Sequence, residues 1–224
     1  MSERSFTAPF KDADDRLLAS RLADCVKAAY YSGRVKYLGF LDEREVYLCR
    51  SYMEREQQVR ALFWGGYPSA ARLMVGISPA ELEIRTEEFP FVPITFLFRR
   101  EDRLSHRDFL GALMALGIQR EVLGDILVEE GRCVSFVKEE MCDFLLSQCR
   151  IIGRVGVKVQ KGAQLPYPSG NERQEIRITV ASARLDSVAA SLMKESRAKA
   201  VQSIQSELVS LNYRQEVSNS AEVR

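Results

Sequence analysis

RLDSVAASLMKESRAKAVQSIQSE, running from Arg184 to Glu207, is the stretch that decides how the C-terminal part of this chain folds. Leu185, Val188 and Leu192 recur at helical spacing, and Ala200 and Ile204 do so again after a break. Ser196 stands at that break, where its hydroxyl can accept the free N–H groups of a new first turn. The spacing predicts two short consecutive helices, 184–194 and 196–207, with Leu185, Val188, Leu192, Ala200 and Ile204 packed inward. Arg184, Lys194, Arg197 and Lys199 then fall near one another on a rigid pair. Val209 to Tyr213 follows as a strand, and Val217 to Arg224 as a polar end.

Upstream, the pattern alternates between periods. Asp12 to Tyr31 places Leu17, Leu18, Leu22, Cys25, Val26 and Ala29 on one helical face. Val35 to Phe40 alternates as a strand, and Asp42 is placed to cap a helix reaching about Arg55. Val59 to Trp64 reads as a strand closed by the breaker pair Gly65-Gly66. Arg72 to Ile77 and Phe89 to Phe98 are further strands; Pro90 and Pro93 cannot donate to a ladder and confine the second to an edge or a late start. Ser105 with Asp108 three residues on forms a capping box ahead of Phe109, Leu110, Leu113, Met114 and Leu116, and Gly117 stops that helix. Asp125–Glu129 and Cys133–Val137 make a hairpin around Glu130-Gly131. Glu139 to Gln148 is an amphipathic helix burying Met141, Cys142, Leu145 and Leu146. Val155–Val159 and Glu175–Val180 are expected strands flanking a Gly- and Pro-rich loop. Helices and strands mix without a βαβ rhythm, so the fold class is α+β. Three parts are expected: an N-terminal α+β subdomain over 1–75, a central α+β part over 76–181, and a small domain over 182–224.

The chain has 224 residues, 46% hydrophobic and 28% charged, a globular balance that excludes whole-chain disorder or a coiled coil. Thirty-two basic residues face 31 acidic ones, so bulk charge does not mark a polycation. The excess is local. From Arg150 to Ala183, six basic residues (Arg150, Arg154, Lys158, Lys161, Arg173, Arg177) face two acidic ones. The five cysteines form no C-x-x-C pair and there is one histidine, so no metal site and no cofactor are expected. No apolar run approaches the roughly 18 residues of a membrane span, and Met1 to Asp15 has no signal-peptide apolar region. A soluble cytoplasmic protein without membrane insertion is the expectation.

Two motifs imitate catalysis. His106-Arg107-Asp108-Phe109-Leu110 is similar to the catalytic loop of protein kinases but lacks their Gly-rich loop and the downstream asparagine. Arg184-Leu185-Asp186 is similar to the catalytic R-L-D of pseudouridine synthases, yet Ala189 stands where those enzymes place Ser or Thr, and only 38 residues follow Asp186. Read together with Ser196-Arg197-Ala198-Lys199-Ala200, the same residues resemble the S4 RNA-binding domain. Cations grouped on a helical pair suit an RNA backbone, which proteins meet largely through shape and phosphate.

Leu104-Ser105-His106-Arg107-Asp108-Phe109-Leu110-Gly111-Ala112-Leu113, then Leu116-Gly117-Ile118 and Gly124-Asp125-Ile126-Leu127-Val128, resemble the central signature of the YlmH family. Phe63-Trp64-Gly65-Gly66-Tyr67 and Arg150 to Lys158 fit the same pattern. The resemblance implies an N-terminal α+β region with an RNA-binding domain, a C-terminal S4 domain, and no catalysis. It implies an RNA-binding factor of the large ribosomal subunit, meeting ribosomal RNA and peptidyl-tRNA in ribosome-associated quality control. The alternative it carries is a protein-interaction scaffold in cell division with a vestigial S4 segment. The RNA-binding residues expected are Arg184, Lys194, Ser196, Arg197 and Lys199, extended by Arg150, Arg154 and Lys158. Glu207 and Tyr213 stand where the family has glycine, and the family's S4 domain runs on past the position of Arg224, so 182–224 is expected to be a partial S4 domain.

Overall fold

The structure is a computed structural model and describes residues 13–169, 176–211 and 214–223. The chain divides into two compact units, Met1–Asn171 and Glu172–Arg224.

The first unit opens with α1 (Ala13–Ser32), β1 (Lys36–Leu41), α2 (Glu43–Met53), β2 (Val59–Trp64) and β3 (Leu73–Pro79). The strands form an antiparallel sheet in the order β1-β3-β2. Asp42 caps α2 as its position suggests: its carboxylate accepts from Glu45 N at 2.9 Å while Glu45 accepts from Asp42 N at 2.8 Å. Leu18, Leu22 and Ala29 of α1 and Val46 and Cys49 of α2 bury against Leu38, Leu41, Val75 and Ile77 on one face of this sheet. A register shift between Leu38 and Leu41 in β1 lets Phe40 turn to the other face while Leu38 and Leu41 share the first. The expected boundary between residues 75 and 76 falls inside β3, which stays paired with β1 and β2 through both positions.

The chain continues with β4 (Phe91–Leu97), α3 (His106–Ala115), β5 (Leu123–Glu129), β6 (Arg132–Lys138), α4 (Cys142–Gln148), β7 (Ile151–Ile152), β8 (Val155–Gly156) and β9 (Lys158–Lys161). A second antiparallel sheet runs β5-β6-β4-β9, and β7 pairs with β8 as a short hairpin. Strand alternation divides its side chains between two layers. Cys133 and Val137 of β6, with Ile94 and Phe96 of β4, face Phe109, Leu113 and Leu145 of the helices. Val134 and Phe136 of β6 face Phe40 and Met74 of the first sheet, so the two sheets meet across an aromatic layer.

Two expectations are corrected here. Over Ile94–Leu97, β4 is an interior strand, not an edge. Pro93 is tolerated because its carbonyl points to the β9 side, where β9 has already ended and Gly162 N donates to it at 2.8 Å. The strand expected over Val155–Val159 is broken into β8 and β9. The partner expected over Glu175–Val180 is absent among residues 176–180; Glu175 lies outside the described residues.

A buried polar clasp joins the sheets. Asp125 of β5 accepts from Tyr67 Oη at 2.6 Å, Ala71 N at 2.8 Å and Arg72 N at 2.9 Å. The Arg72 side chain donates in turn to the carbonyls of Leu123, Phe40 and Arg120 at 2.9, 3.0 and 2.9 Å. Gly66 sits at φ +99°, and a Cβ there would lie 2.3 Å from Phe136 Cε1, so the Gly65-Gly66 turn needs its missing side chain.

The second unit holds α5 (Leu185–Met193), α6 (Arg197–Gln205), β10 (Ser210–Leu211) and β11 (Arg214–Gln215). Leu185, Ala189, Ala200 and Ile204 form its core, with Val209, Leu211, Ala221 and Val223 packed on it. Leu192, expected to point inward, is 46% exposed, because Ala189 and not Leu192 faces α6. The polar end is tied back by backbone bonds from Leu185 N to Ala221 O at 2.8 Å and Asp186 N to Asn219 O at 3.0 Å. No helix among the described residues is long and apolar enough to cross a membrane.

Candidate nucleic-acid interface

The α5–α6 pair is built by local rules. Arg184 occupies the position before α5 in extended conformation, and Asp186 falls in the first turn, where the helix dipole favours a carboxylate. Lys194 ends α5 in the left-handed region at φ 53°, which turns the chain within two residues into α6. Ser196 caps α6 as expected, its Oγ accepting from Lys199 N at 3.3 Å.

Asp186 is the centre of the arrangement. It is only 2% exposed. Arg184 donates to it through Nε at 3.3 Å and Nη2 at 3.1 Å, and Arg197 Nη2 reaches both carboxylate oxygens at 3.0 and 2.9 Å. The hydrogen bonds from Arg184, reinforced by those from Arg197, outweigh burial and hold the Asp186 carboxyl down at about 2. One buried anion thereby aligns two guanidiniums from different helices, whose side chains remain 44% and 57% exposed. Arg197 bonds Asp186 through one nitrogen, so its Nε and Nη1 donors stay directed elsewhere, a fork suited to a phosphate.

The sequence-predicted residues separate into groups. Arg184 and Arg197 are brought together. Lys199 stands two residues from Arg197, off its face of α6, and its Nζ donates to Glu195 at 2.7 Å. Lys194 is exposed at the turn. Arg150, Arg154 and Lys158 are exposed on the first unit: Arg150 Nε donates to Ser147 O at 3.2 Å, Arg154 lies in the β7–β8 hairpin, and Lys158 opens β9. Of the strip predicted to follow them, Arg173 lies outside the described residues and Arg177 is not in a strand. Arg197 and Lys199 occupy the first turn of α6, where the dipole disfavours cations by about 0.3–1 kcal/mol each. Asp186 as the organiser was missed by sequence reasoning; its signal was the arginine two residues before it in R-L-D.

Other chemistry-bearing groups are structural. Both contacts of Asp108 go to Ser105, through N at 2.8 Å and Oγ at 2.6 Å, as part of the α3 cap. Burial pushes the Cys25 thiol up to about 11 and the Cys49 thiol up to about 12, away from thiolate reactivity. No group of His, Cys, Asp and Glu among the described residues is placed to hold a metal ion.

Comparison with known proteins adds three likenesses. Residues 97–164 match a family model described as "Putative RNA-binding domain in YlmH". That span runs from the end of β4 past β9 and includes Arg150, Arg154 and Lys158. Over 208 residues the chain is 30% identical to the ribosome-associated protein quality control protein P2 of Bacillus subtilis (strain 168), covering 90% of this chain and 79% of that protein. A solved structure, the cell division protein ylmH from Streptococcus pneumoniae, shares the fold with a TM-score of 0.59 at 17% identity, over 68% of this chain and 93% of that one.

Proposed function

The chain belongs to the YlmH family, and from that premise we propose that it is an RNA-binding factor of the large ribosomal subunit, acting without catalysis. In this reading it works in the cytoplasm, in ribosome-associated quality control, and holds a stalled peptidyl-tRNA complex while meeting ribosomal RNA. The observation that carries it is the pair of half-exposed guanidiniums aligned on buried Asp186. Arg184 and Arg197 contact phosphate directly. Lys199 joins them by exchanging Glu195 for a phosphate oxygen, and Lys194 and Ser196 flank the same turn. Arg150, Arg154 and Lys158 add phosphate contacts from the first unit.

Asp186 itself serves as a positioning residue. A carboxylate that is 2% exposed and has both oxygens engaged by two guanidiniums is poorly placed to attack a ribose. A second reading, a protein-contact scaffold in cell division, is favoured by one observation: Leu192, Met193 and Leu208 are exposed on the second unit, Leu208 to 78%.

Ultraviolet crosslinking of the full chain on ribosomes, mapped to nucleotides, tests the proposal. It expects crosslinks in large-subunit RNA that weaken in an Arg184→Gln, Arg197→Gln variant. Crosslinks unchanged by that variant, or absent from the large subunit, contradict it.

A further inference from the structure

One end of the four-stranded sheet gathers cations that the helical pair of the second unit does not use. β4 ends at Leu97, which lies opposite Lys158 at the start of β9. The chain leaving β4 carries Arg99, Arg100 and Arg103 and enters α3 through Ser105, His106 and Arg107. All four arginines are exposed. Arg150 arrives at the same end from the other side: its carbonyl accepts from Val157 N at 2.9 Å, one residue before Lys158. α3 also packs on β7, the strand that follows Arg150.

Two of the three carboxylates of this segment are already committed. Asp102 receives Arg99 through Nε at 2.9 Å and Nη2 at 3.0 Å. Asp108 is held in the α3 cap by Ser105. Glu101 is the one further acid between Leu97 and Asp108. Arg100, Arg103 and Arg107 have no ion pair among the described residues. Arg107 lies in the first turn of α3, where the helix dipole opposes a cation and its exposed side chain returns no burial. A run of guanidiniums that costs the fold stability and is anchored on a strand end and a capped helix is what an external anion rewards.

We infer that this rim, centred on Arg100, Arg103 and Arg107 with Lys158 and Arg150 beside them, is a second phosphate-binding surface, fitted to the backbone of folded RNA. The inference rests on the RNA-binding reading above and deepens it, adding Arg100, Arg103 and Arg107 to the Arg150 and Lys158 contacts already proposed on the first unit. Guanidinium forks take phosphate oxygens in pairs, and the deep, narrow major groove of an RNA duplex keeps them from its base edges, so binding here is independent of sequence and steep in salt.

The test titrates the full chain against a short, labelled RNA duplex of mixed sequence. Three phosphate contacts contribute about 40-fold to the loss of affinity between roughly 50 and 200 mM salt. An R100Q/R103Q/R107Q variant is therefore expected to bind more weakly at low salt and to lose that share of the salt dependence. Its thermal midpoint stays at or slightly above the wild-type value, since neutralising Arg107 relieves the α3 dipole, and the Arg→Lys triple variant keeps most of the salt slope. A triple-Gln variant with wild-type affinity and slope overturns the rim, whatever happens to the α5–α6 pair. A normal loss here beside an unaffected R197Q/K199Q variant supports the rim and counts against the helical pair alone. Polyglutamate that displaces the duplex as well as unlabelled RNA does also overturns the inference, since the rim would then select any polyanion.

Discussion

Arg197, on α6, places a single nitrogen 3.0 and 2.9 Å from the two carboxylate oxygens of Asp186, on α5. With Arg184 on the other side of the same carboxylate, this contact ties the two helices together and aims both guanidiniums outward. Asp186→Asn keeps the shape and removes the charge, leaving two adjacent cations without their anion. The expected outcome is a lower thermal midpoint and weaker RNA binding with a changed salt slope, together with no change in any nucleoside composition of the RNA. Calorimetry and a binding titration at several salt concentrations check it.

The same carboxylate makes the helical pair acid-sensitive. Its pKa in the folded chain is about 2, below the ordinary aspartate value near 3.9. Because the folded value is depressed, its contribution is fully present above the unfolded pKa and is lost as pH falls through about 4 towards 2. Amide exchange of α5 and α6 is expected to accelerate across that window. Asp186→Asn should remove this portion of the pH dependence, leaving the rest of the acid transition in place.

Asp125 tests the fold of the first unit. Replacing it with Ala strands the backbone N–H groups of Ala71 and Arg72 and the Tyr67 hydroxyl in a part-buried site. The expected loss is about 2–4 kcal/mol of stability, read by denaturant unfolding. Tyr67→Phe removes one donor only and should cost about 1 kcal/mol.

Much of this architecture was legible locally. The caps at Asp42, Ser105 and Ser196 need residues three apart, so the helices they start stand where the sequence puts them. The mostly apolar run over 133–137 marked one strand of a hairpin, and the structure buries both its faces. What pairs with what was not legible: the return of β9 to β4, and the Asp125–Arg72 clasp across 53 positions, depend on long-range packing that no local pattern encodes. The alternation expected to make a strand at 175–180 forms none over the described residues 176–180. At the interface, the cations of R-L-D and S-R-x-K-A were legible as a motif, whereas the buried carboxylate that aligns them read as a rival nucleophile. The arginines after Leu97 were hidden because neighbouring acids cancel them in a charge count, and only the structure shows Asp102 and Asp108 engaged.

Glu207 carries one further legible feature. The family places glycine there, and the chain holds this residue at φ 59°, in the left-handed region. Glu207→Gly is expected to relieve that conformation and raise stability by roughly 0.5–1 kcal/mol, after the greater freedom of the unfolded chain is allowed for. A chemical-denaturation midpoint that falls instead would show that the Glu side chain contributes more than its backbone costs.

The central claim, that the cations of the α5–α6 pair hold RNA of the large ribosomal subunit, is tested most directly by co-sedimentation of the full chain with purified large subunits. Arg197→Gln with Lys199→Gln removes two cations without setting a new carboxylate beside Asp186. The account expects wild-type protein to pellet with large subunits in a salt-sensitive manner and the double variant to bind roughly 10–100-fold more weakly. Equal sedimentation of the two proteins across the salt range, with both folded, would contradict it.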